Sequence, residues 1–334
     1  MDWMNYVVIP LIKSVVLVLV LLGGAAYMTW GERKLCGRFQ VRYGPNRAGK
    51  FGLLQPIADA GKMFFKEEII PATVDKVVYV LAPMLSVFAV LVLLAVVPFG
   101  PDVNLFGRTI HLYVADVNVG ILYVLAMGGI GIYGVVFGGW ASNNNYSLLG
   151  ALRTTAQIVS YELPMGLAVV SLLLVAGSFS VVDIVNQQSK VWYIVLQPLG
   201  FLIYFIATLA ETKRSPFDLP ETENELIGGF ATEYGGIKFA LFFLAEYAHV
   251  VVASALAAAL FLGGWHGPFA AQYPLLGVLY FVIKIVFMLF LFVWVRASLP
   301  RIRYDELMSF SWKFLVPLAL LNLAVTAVAV VALA

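Results

Sequence analysis

Two residue types that build cofactor sites are scarce in this 334-residue sequence. It contains one cysteine, Cys36, and three histidines, His111, His249 and His266, which lie far apart in the chain. A single cysteine cannot form an intramolecular disulfide, and it cannot supply the four thiolates of a typical iron–sulfur cluster. The histidines have no metal-ligand spacing between them. We therefore expect no metal site and no tightly bound cofactor in this chain.

Charge is also scarce. Charged residues make up 12% of the sequence and hydrophobic residues 62%, with a mean hydropathy of +0.92. Soluble proteins contain about 25% charged residues, and a soluble domain with half that share could not cover its own surface. The net charge of +2 is too small to indicate a nucleic-acid-binding protein. The composition therefore predicts a protein that is solvated mainly by lipid.

Long apolar runs predict an all-α, polytopic membrane protein that forms a single integral membrane domain over residues 1–334. A spanning helix needs about 20 apolar residues, because each residue adds 1.5 Å across a hydrocarbon core of about 30 Å. About eight transmembrane helices are expected, at 8–30, 77–99, 117–139, 160–182, 191–210, 239–263, 274–296 and 314–333. Two long loops remain, at 31–76 and 211–238.

Lysine and arginine residues indicate how the chain is oriented in the membrane. The loops after spans one, three, five and seven hold 17 of the 21 basic residues. Because basic loops stay on the cytoplasmic side, these loops are predicted to be cytoplasmic and both termini to lie outside.

The first long loop contains a short amphipathic segment at 54–67. Its apolar residues follow helical spacing, whereas Lys62 and Lys66 fall on other faces. These apolar residues are Leu54, Ile57, Ala58, Gly61, Phe64 and Phe65. This pattern is typical of a helix that lies in the membrane interface. A short connector packed on the helix bundle is the alternative.

Gly129-Ile-Gly131-Ile-Tyr-Gly134 matches the dinucleotide-binding pattern GxGxxG. That pattern binds a pyrophosphate only in a strand–turn–helix unit, and here it lies in the middle of an apolar span. Small residues that let helices approach closely explain it better.

Four carboxylates are predicted at membrane depth, where an ionisable group costs several kcal/mol unless it is paired or hydrated. Glu32 and Glu211 close spans one and five, Glu162 opens span four, and Glu246 lies about two turns into span six. The predicted topology puts all four near the cytoplasmic half of the bilayer, where they could share a buried cavity. The first two could instead be solvated or paired with Arg33 and Lys213. Glu246 could form a structural pair with Lys284 or a relay with His249.

The second long loop carries an unexpected cluster of acidic residues. Asp218, Glu221, Glu223 and Glu225 lie within eight residues, after Pro216 and around Pro220. The prolines exclude a regular helix through the start of the segment. Carboxylates buried together repel one another, so some of them should take up protons. A solvated acidic loop is the ordinary alternative, but a cytoplasmic loop of a membrane protein is expected to be basic.

An ordered set of motifs resembles the quinone-site membrane subunit of respiratory complex I, known as its H subunit or subunit 1. The motifs are Gly31-Glu-Arg-Lys34, Arg42-Tyr-Gly-Pro-Asn-Arg47, Ala58-Asp59, Phe65-Lys-Glu67, Gly139-Trp-Ala-Ser142, Tyr146-Ser-Leu-Leu-Gly150, Ser160-Tyr-Glu162, Ser215-Pro-Phe-Asp-Leu-Pro-Glu221, Glu233-Tyr234, Ala245-Glu-Tyr247, Gly263-Gly-Trp265 and Arg303-Tyr-Asp305. The acidic segment is the most specific of these. The resemblance runs from about Gly31 to the last span.

The resemblance implies a function in NADH:quinone oxidoreductase, a proton-pumping translocase that is active only as a complex. This subunit would form much of the quinone-binding channel and couple quinone reduction to proton translocation where the hydrophilic and membrane arms join. Quinone would enter from the bilayer between the first span, the amphipathic helix and the sixth span. Iron–sulfur clusters and FMN would be held by soluble partner subunits, and small membrane subunits and lipid would be further partners of this chain. Its location would be a bacterial cell inner membrane.

The resemblance also implies roles for individual residues. Those of the quinone channel would be Glu32, Arg33, Arg42, Asp59, Phe217, Asp218 and Glu233. Those of proton coupling would be Glu162, Glu211, Glu221, Glu223, Glu225 and Glu246. No residue of this chain would be directly catalytic and none would bind a metal.

The sequence departs from the family pattern at two positions. Thr222 stands where a small Ala or Gly is common, and Gly129 stands where some members carry a carboxylate in the third span. A stand-alone ion or substrate transporter that uses intramembrane carboxylates is the alternative function.

Overall fold

The computed structural model of the chain describes residues 7–105, 108–218, 226–270 and 272–333. Most of these residues are helical. The helices are α1 (Ile9–Phe39), α2 (Gln55–Phe65), α3 (Lys76–Leu93), α4 (Gly120–Ala141), α5 (Asn145–Ala176), α6 (Val181–Gln187), α7 (Tyr193–Leu196), α8 (Pro198–Glu211), α9 (Gly236–Leu260), α10 (Pro274–Ser298), α11 (Tyr304–Phe310) and α12 (Val316–Leu333). The predicted all-α membrane fold is confirmed.

Short elements connect or extend these helices. Single 3₁₀ turns lie at Lys50–Gly52, Leu94–Val96 and Gly229–Ala231, and the π-helical turn Ser311–Leu315 joins α11 to α12. The only strands in the described ranges are β1 (Val103–Leu105) and β2 (Arg108–Ile110), which pair antiparallel. The sequence did not predict this small hairpin.

Seven helices in the described part of the chain are long and apolar enough to cross a membrane. They are α1, α3 with its 3₁₀ extension, α4, α5, α9, α10 and the continuous helix Tyr304–Leu333. The predicted fifth span is instead divided into α7 and α8. Gln197 interrupts it with φ −130° and ψ 56°, because a residue that precedes a proline is disfavoured in the α-helical region.

The fourth span shows the largest error in a predicted boundary. It was expected at 160–182, whereas α5 runs from Asn145 to Ala176. The Asn144 side chain accepts a hydrogen bond from the Tyr146 amide and caps the start of the helix. At the other end Gly177 adopts a left-handed conformation with φ 63°, which ends the helix.

The helix α9 lies at the centre of the bundle and packs against α1, α2, α3, α6, α8 and α10. Its second half is rich in buried alanines, among them Ala253, Ala255 and Ala257. Small side chains allow neighbouring helix backbones to approach closely in a membrane protein. The outer helices instead expose apolar side chains, as α1 does with Leu11, Leu19 and Val20.

The loops after the first, third, fifth and seventh spans meet at one end of the bundle, here called the basic end. The Asp75 amide, before α3, donates to the Ala141 carbonyl at the end of α4. The Asn144 side chain, before α5, donates to Glu233, before α9. The Ile302 amide, after α10, donates to the Pro216 carbonyl in the loop after α8. These contacts show that the loops predicted to share one side of the membrane do share one end of the molecule.

The amphipathic segment forms α2, which packs against α1 and α9 at the basic end. Ile57, Phe64 and Phe65 nevertheless remain 63%, 70% and 94% exposed. The helix is therefore packed on the bundle on one side and presents an apolar surface on the other.

Candidate functional site

An apolar groove with a volume of about 480 Å³ lies between α1, α2 and α9. Its apolar walls are formed by Ala25, Ala26, Pro56, Ala60, Met63, Phe64, Ile237, Phe239, Ala240, Leu241, Phe243, Leu244 and Tyr247. The remaining lining residues are Thr29, Arg33, Asp59 and Lys62. A long apolar groove with a few polar groups is the usual form of a site for an amphipathic small molecule.

Asp59 on α2 holds that helix to α1 beside the groove. Its Oδ2 lies 2.7 Å from Nη1 of Arg33, and its Oδ1 accepts a hydrogen bond of 2.8 Å from Gln55. Lys62 is farther away, with its Nζ 3.8 Å from Oδ1. Arg33 and Asp59, which belong to two different sequence motifs, are therefore in direct contact in the structure.

Glu32 is buried and joins three distant parts of the chain. Its Oε2 lies 3.1 Å from Nη1 of Arg214, in the loop after α8, and its Oε1 accepts from Arg296, near the end of α10. Burial lowers the pKa of Arg214, but Glu32, Tyr247 and Glu246 together raise it by more, so the net shift is upward. The Arg214 guanidinium also stacks on the ring of Tyr247, 4.1 Å from its centroid.

Tyr247 is the residue that links this ion cluster to the groove. It lines the groove, and its ring also carries the Arg214 guanidinium. Tyr247 lies on α9 one residue after Glu246, which lines a cavity inside the bundle. One turn of α9 therefore contributes side chains to both the groove and that cavity.

Asp218 is buried in the loop after α8, and its Oδ2 lies 3.2 Å from Nη2 of Arg301. Burial raises the pKa of the Asp218 carboxyl, although Arg301 and Arg296 partly oppose the shift. Arg296, near the end of α10, therefore acts electrostatically on both Asp218 and Glu32 at the basic end.

Two adjoining cavities, with volumes of about 60 and 40 Å³, lie deeper between the helices. The first is lined by Ser86, Lys213 and Glu246 among others, and the second by Glu162 and Tyr204 among others. Both are also lined by Gly128, Glu211 and His249. Three of the four predicted intramembrane carboxylates therefore face these two adjoining cavities, whereas Glu32 lines neither of them.

The partners of these carboxylates differ from the pairs considered from the sequence. Glu246 pairs with Lys213 at 2.8 Å, not with Lys284 or His249. Lys284 instead donates to the carbonyls of residues 264 and 266, at the opposite end of the bundle. Nε2 of His249 lies 3.5 Å from Oε1 of Glu211.

Glycines on α4 leave the space that the cavities occupy. A Cβ atom added to Gly128 would lie 3.6 Å from Oε1 of Glu211, and one added to Gly129 would lie 3.5 Å from Oε1 of Glu162. Both carboxylates therefore face α4 at successive positions that carry no side chain.

The other predicted site residues lie apart from the groove and the cavities. Arg42 is exposed, and its amide donates to the Gly37 carbonyl. Phe217 is buried against Tyr161, with ring centroids 5.4 Å apart. Glu233 accepts from Asn144 in a separate polar pocket at the basic end. Glu221, Glu223 and Glu225 lie outside the described residues.

No group of three or more His, Cys, Asp or Glu side chains that could hold a metal ion occurs within the described residues.

Comparison with known proteins assigns the chain to a family. A family model described as NADH dehydrogenase matches residues 12–327. The chain belongs to the NADH dehydrogenase family. It is 52% identical to the H subunit of NADH-quinone oxidoreductase from Thermomicrobium roseum, over 98% of this chain and 97% of that protein. The resemblance inferred from the motifs is confirmed.

Further members of the NADH dehydrogenase family show a comparable degree of identity. The H subunit of NADH-quinone oxidoreductase from Protochlamydia amoebophila is 52% identical over 91% of this chain and 92% of its own length. The corresponding protein of Syntrophotalea carbinolica is 48% identical over 97% of this chain and 98% of its own length. The similarity therefore extends over almost the complete chain and includes both the groove and the cavities.

Sequence reasoning missed the cations that complete the site in this family member. Arg214, Arg296 and Arg301 were interpreted only as markers of topology, yet each contacts a buried carboxylate. Lys213 was considered as a partner of Glu211, whereas it pairs with the partly buried Glu246. One signal was available in the sequence. Lys213 and Arg214 closely follow a span that ends in a glutamate. From this position a basic side chain can point back into the bundle.

Proposed function

We propose that this chain forms much of the quinone-binding channel of a proton-pumping NADH:quinone oxidoreductase, respiratory complex I, and couples quinone reduction to proton translocation. The observation that carries the proposal is the apolar groove between α1, α2 and α9, which meets the buried ion cluster at Tyr247. A groove without this connection would bind a lipid tail equally well. The connection gives a bound quinone a route to influence buried charges.

The groove has the chemistry that a quinone requires. Its walls would hold an isoprenoid tail, because burial of apolar surface contributes about 25 cal/mol per Å². Arg33, Asp59 and Lys62 add polar groups at its basic-end side. Glu32, Arg33, Arg42, Asp59, Phe217, Asp218 and Glu233 would line or shape the channel, as the family resemblance implies.

Glu162, Glu211 and Glu246 would carry the charge that couples quinone reduction to pumping. Ionisable groups inside membrane proteins commonly form proton relays, and these three face adjoining cavities. Glu221, Glu223 and Glu225 would lead protons from the quinone end into this region. The transported ion would be a proton, with sodium as the alternative.

This function needs partners. FMN and iron–sulfur clusters would be held by soluble subunits that dock on the basic end, and small membrane subunits would continue the proton path. The basic end would face the cytoplasm, in agreement with the positive-inside rule, and the chain would lie in the inner membrane of a bacterium.

The test is to obstruct the groove in the assembled complex. Ala60→Trp places a large side chain on the α2 face that lines the groove, and it should raise the KM for quinone about tenfold or more. Ala58→Trp is the matched control, because Ala58 is also exposed on the same helix but does not line the groove. Activity with a water-soluble electron acceptor that receives electrons upstream should stay unchanged in both variants.

Equal quinone kinetics in the two variants would contradict the proposed channel. A photoreactive quinone analogue gives an independent measurement, and it should label groove residues of α2 or α9 in the wild-type complex and lose that labelling in Ala60→Trp.

The transporter alternative is less favoured by the family membership and makes a different prediction. A stand-alone transporter would move ions in liposomes that contain only this chain. The proposed function predicts no ion movement in such liposomes, and activity only in complexes that contain the soluble redox subunits.

A further inference from the structure

His249 is a titratable group that the proposed function has not used. It lies on α9, three residues after Glu246, so the two side chains share one side of the helix. Its side chain is 22% exposed, and the residue lines both of the adjoining cavities. Of the described residues that line both cavities with it, only Glu211 also carries an ionisable side chain.

The charged groups around His249 come from several elements. Glu211 at the end of α8 is the nearest, with its Oε1 3.5 Å from Nε2 of the imidazole. Glu162 on α5 lines one cavity, whereas Glu246 and Lys213 line the other. The helix α3 contributes the hydroxyl of Ser86, and α4 contributes only glycines and apolar side chains.

A neutral imidazole can accept a proton on one ring nitrogen and release a proton from the other. A carboxylate on α4 could have served the same purpose, but Gly128 and Gly129 occupy the positions that face Glu211 and Glu162. His249 is therefore placed to transfer protons where α4 provides no ionisable group.

We propose that His249 carries protons between Glu211 and Glu246, across the cavity that all three residues line, an inference that rests on the proton-coupling function proposed above. The carboxyl group of Glu211 transfers its proton to Nε2 of the neutral imidazole, which gives a carboxylate and an imidazolium. The imidazolium releases a proton from Nδ1 to water in the cavity lined by Glu246. Glu211 then takes up its next proton from the cavity that Glu162 lines, and proton exchange with cavity water returns the imidazole to the tautomer that is protonated on Nδ1, so charge and protons balance over the cycle.

The proposal requires only a small adjustment of the side chains. The distance of 3.5 Å between Nε2 and Oε1 is longer than a hydrogen bond, and proton-transfer contacts commonly shorten only in the working state. The two cavities have volumes of about 60 and 40 Å³, and a cavity needs about 10–15 Å³ to hold one water molecule, so each has room for ordered water.

The test uses His249→Gln in the intact complex, reconstituted in vesicles. Glutamine keeps a hydrogen-bonding group near Glu211 but cannot carry a proton, so the rate of proton pumping should fall about tenfold or more, in the range of lost acid–base catalysis. The pH profile of pumping should also lose the ionisation that the histidine contributes. His111→Gln is the matched control, because His111 pairs with Asp102 in a loop away from both cavities.

The outcomes separate this inference from the function on which it rests. Wild-type pumping and an unchanged pH profile in His249→Gln would overturn the role of His249, and a loss of pumping in Glu211→Gln would then still support the carboxylate path. Wild-type pumping in both variants would overturn the carboxylate path as well. If His249→Gln assembles poorly, His249→Asn is measured per assembled complex, and normal pumping in that variant would overturn the inference in the same way.

Discussion

Buried charged side chains in this protein are stabilised by partners that lie far away in the sequence. Glu32 accepts from Arg214, 182 residues later, and from Arg296, 264 residues later. A buried charge without a partner carries a large desolvation penalty, so these contacts make each charge tolerable. The same three side chains therefore tie α1, the loop after α8 and the end of α10 together.

Glu32→Gln should be strongly destabilising. The substitution leaves the buried Arg214 without its carboxylate, and breaking one partner of a buried ion pair typically costs about 3–5 kcal/mol. Asp59→Asn provides the contrast, because its partner Arg33 is half exposed and such pairs contribute about 1 kcal/mol or less. Thermal unfolding of the purified complex measures both, and similar losses in the two variants would contradict this account of Glu32.

Asp218→Asn should change how stability depends on pH. Burial raises the pKa of Asp218 in the folded chain, so the folded state binds this proton more tightly than the unfolded state. Stability is therefore lost as pH rises from the ordinary aspartate pKa through the raised one. The neutral asparagine avoids that loss, and the variant should unfold at a higher temperature relative to wild type at neutral pH than at acidic pH. A constant difference across that pH range would refute the raised pKa.

The sequence identified the unusual carboxylates but not what they contact. Glu32, Glu162, Glu211 and Glu246 stand out because each interrupts or ends an apolar run, which is a local property. Their partners depend on how helices pack, and no local pattern carries that information. This is why Lys213, rather than Lys284, proved to be the partner of Glu246.

Individual helices were predicted well where length and hydropathy decide the structure. The spans that correspond to α3, α4, α9 and α10 differ from the prediction by only a few residues at most boundaries. Errors arose where one residue controls the backbone, as Gly177 does at the end of α5 and Pro198 does at the start of α8. The packing of α4 was anticipated from its glycines, and α3 is its closest neighbour.

Gly134→Ala should disturb the contact between α3 and α4. A Cβ atom at this position would lie 2.0 Å from Oγ of Ser86 and 2.9 Å from the Ala82 carbonyl oxygen. A backbone atom cannot move aside without separating the helices, and overpacking of this kind typically costs about 1–3 kcal/mol. Gly131→Ala on the same helix meets only the Cβ of Ala89 at 3.7 Å and should be tolerated. The yield and thermal stability of the assembled complex distinguish the two, and equal tolerance would show that the helices are not in close contact here.

Within the bundle, the groove and the cavities occupy different sides of α9. The groove lies toward α1 and α2, whereas the cavities lie toward α4, α5 and α8. Glu246 faces the cavities and Tyr247 faces the groove, so consecutive residues serve the two regions. Lys213 and Arg214 repeat the arrangement, because the first pairs with Glu246 and the second stacks on Tyr247. A movement of either pair would therefore change contacts in the groove and in the cavity that Glu246 lines.

Tyr247→Leu should therefore affect both quinone binding and pumping. Leucine keeps apolar volume in the groove but removes the ring on which Arg214 stacks, a contact worth about 0.5–2 kcal/mol. We expect a higher KM for quinone together with a several-fold slower rate of proton pumping. Tyr247→Phe retains the ring and should remain closer to wild type in both measurements, made on the same reconstituted vesicles. A rise in KM with an unchanged pumping rate at saturating quinone would mean that the ion cluster does not transmit groove occupancy to the cavities.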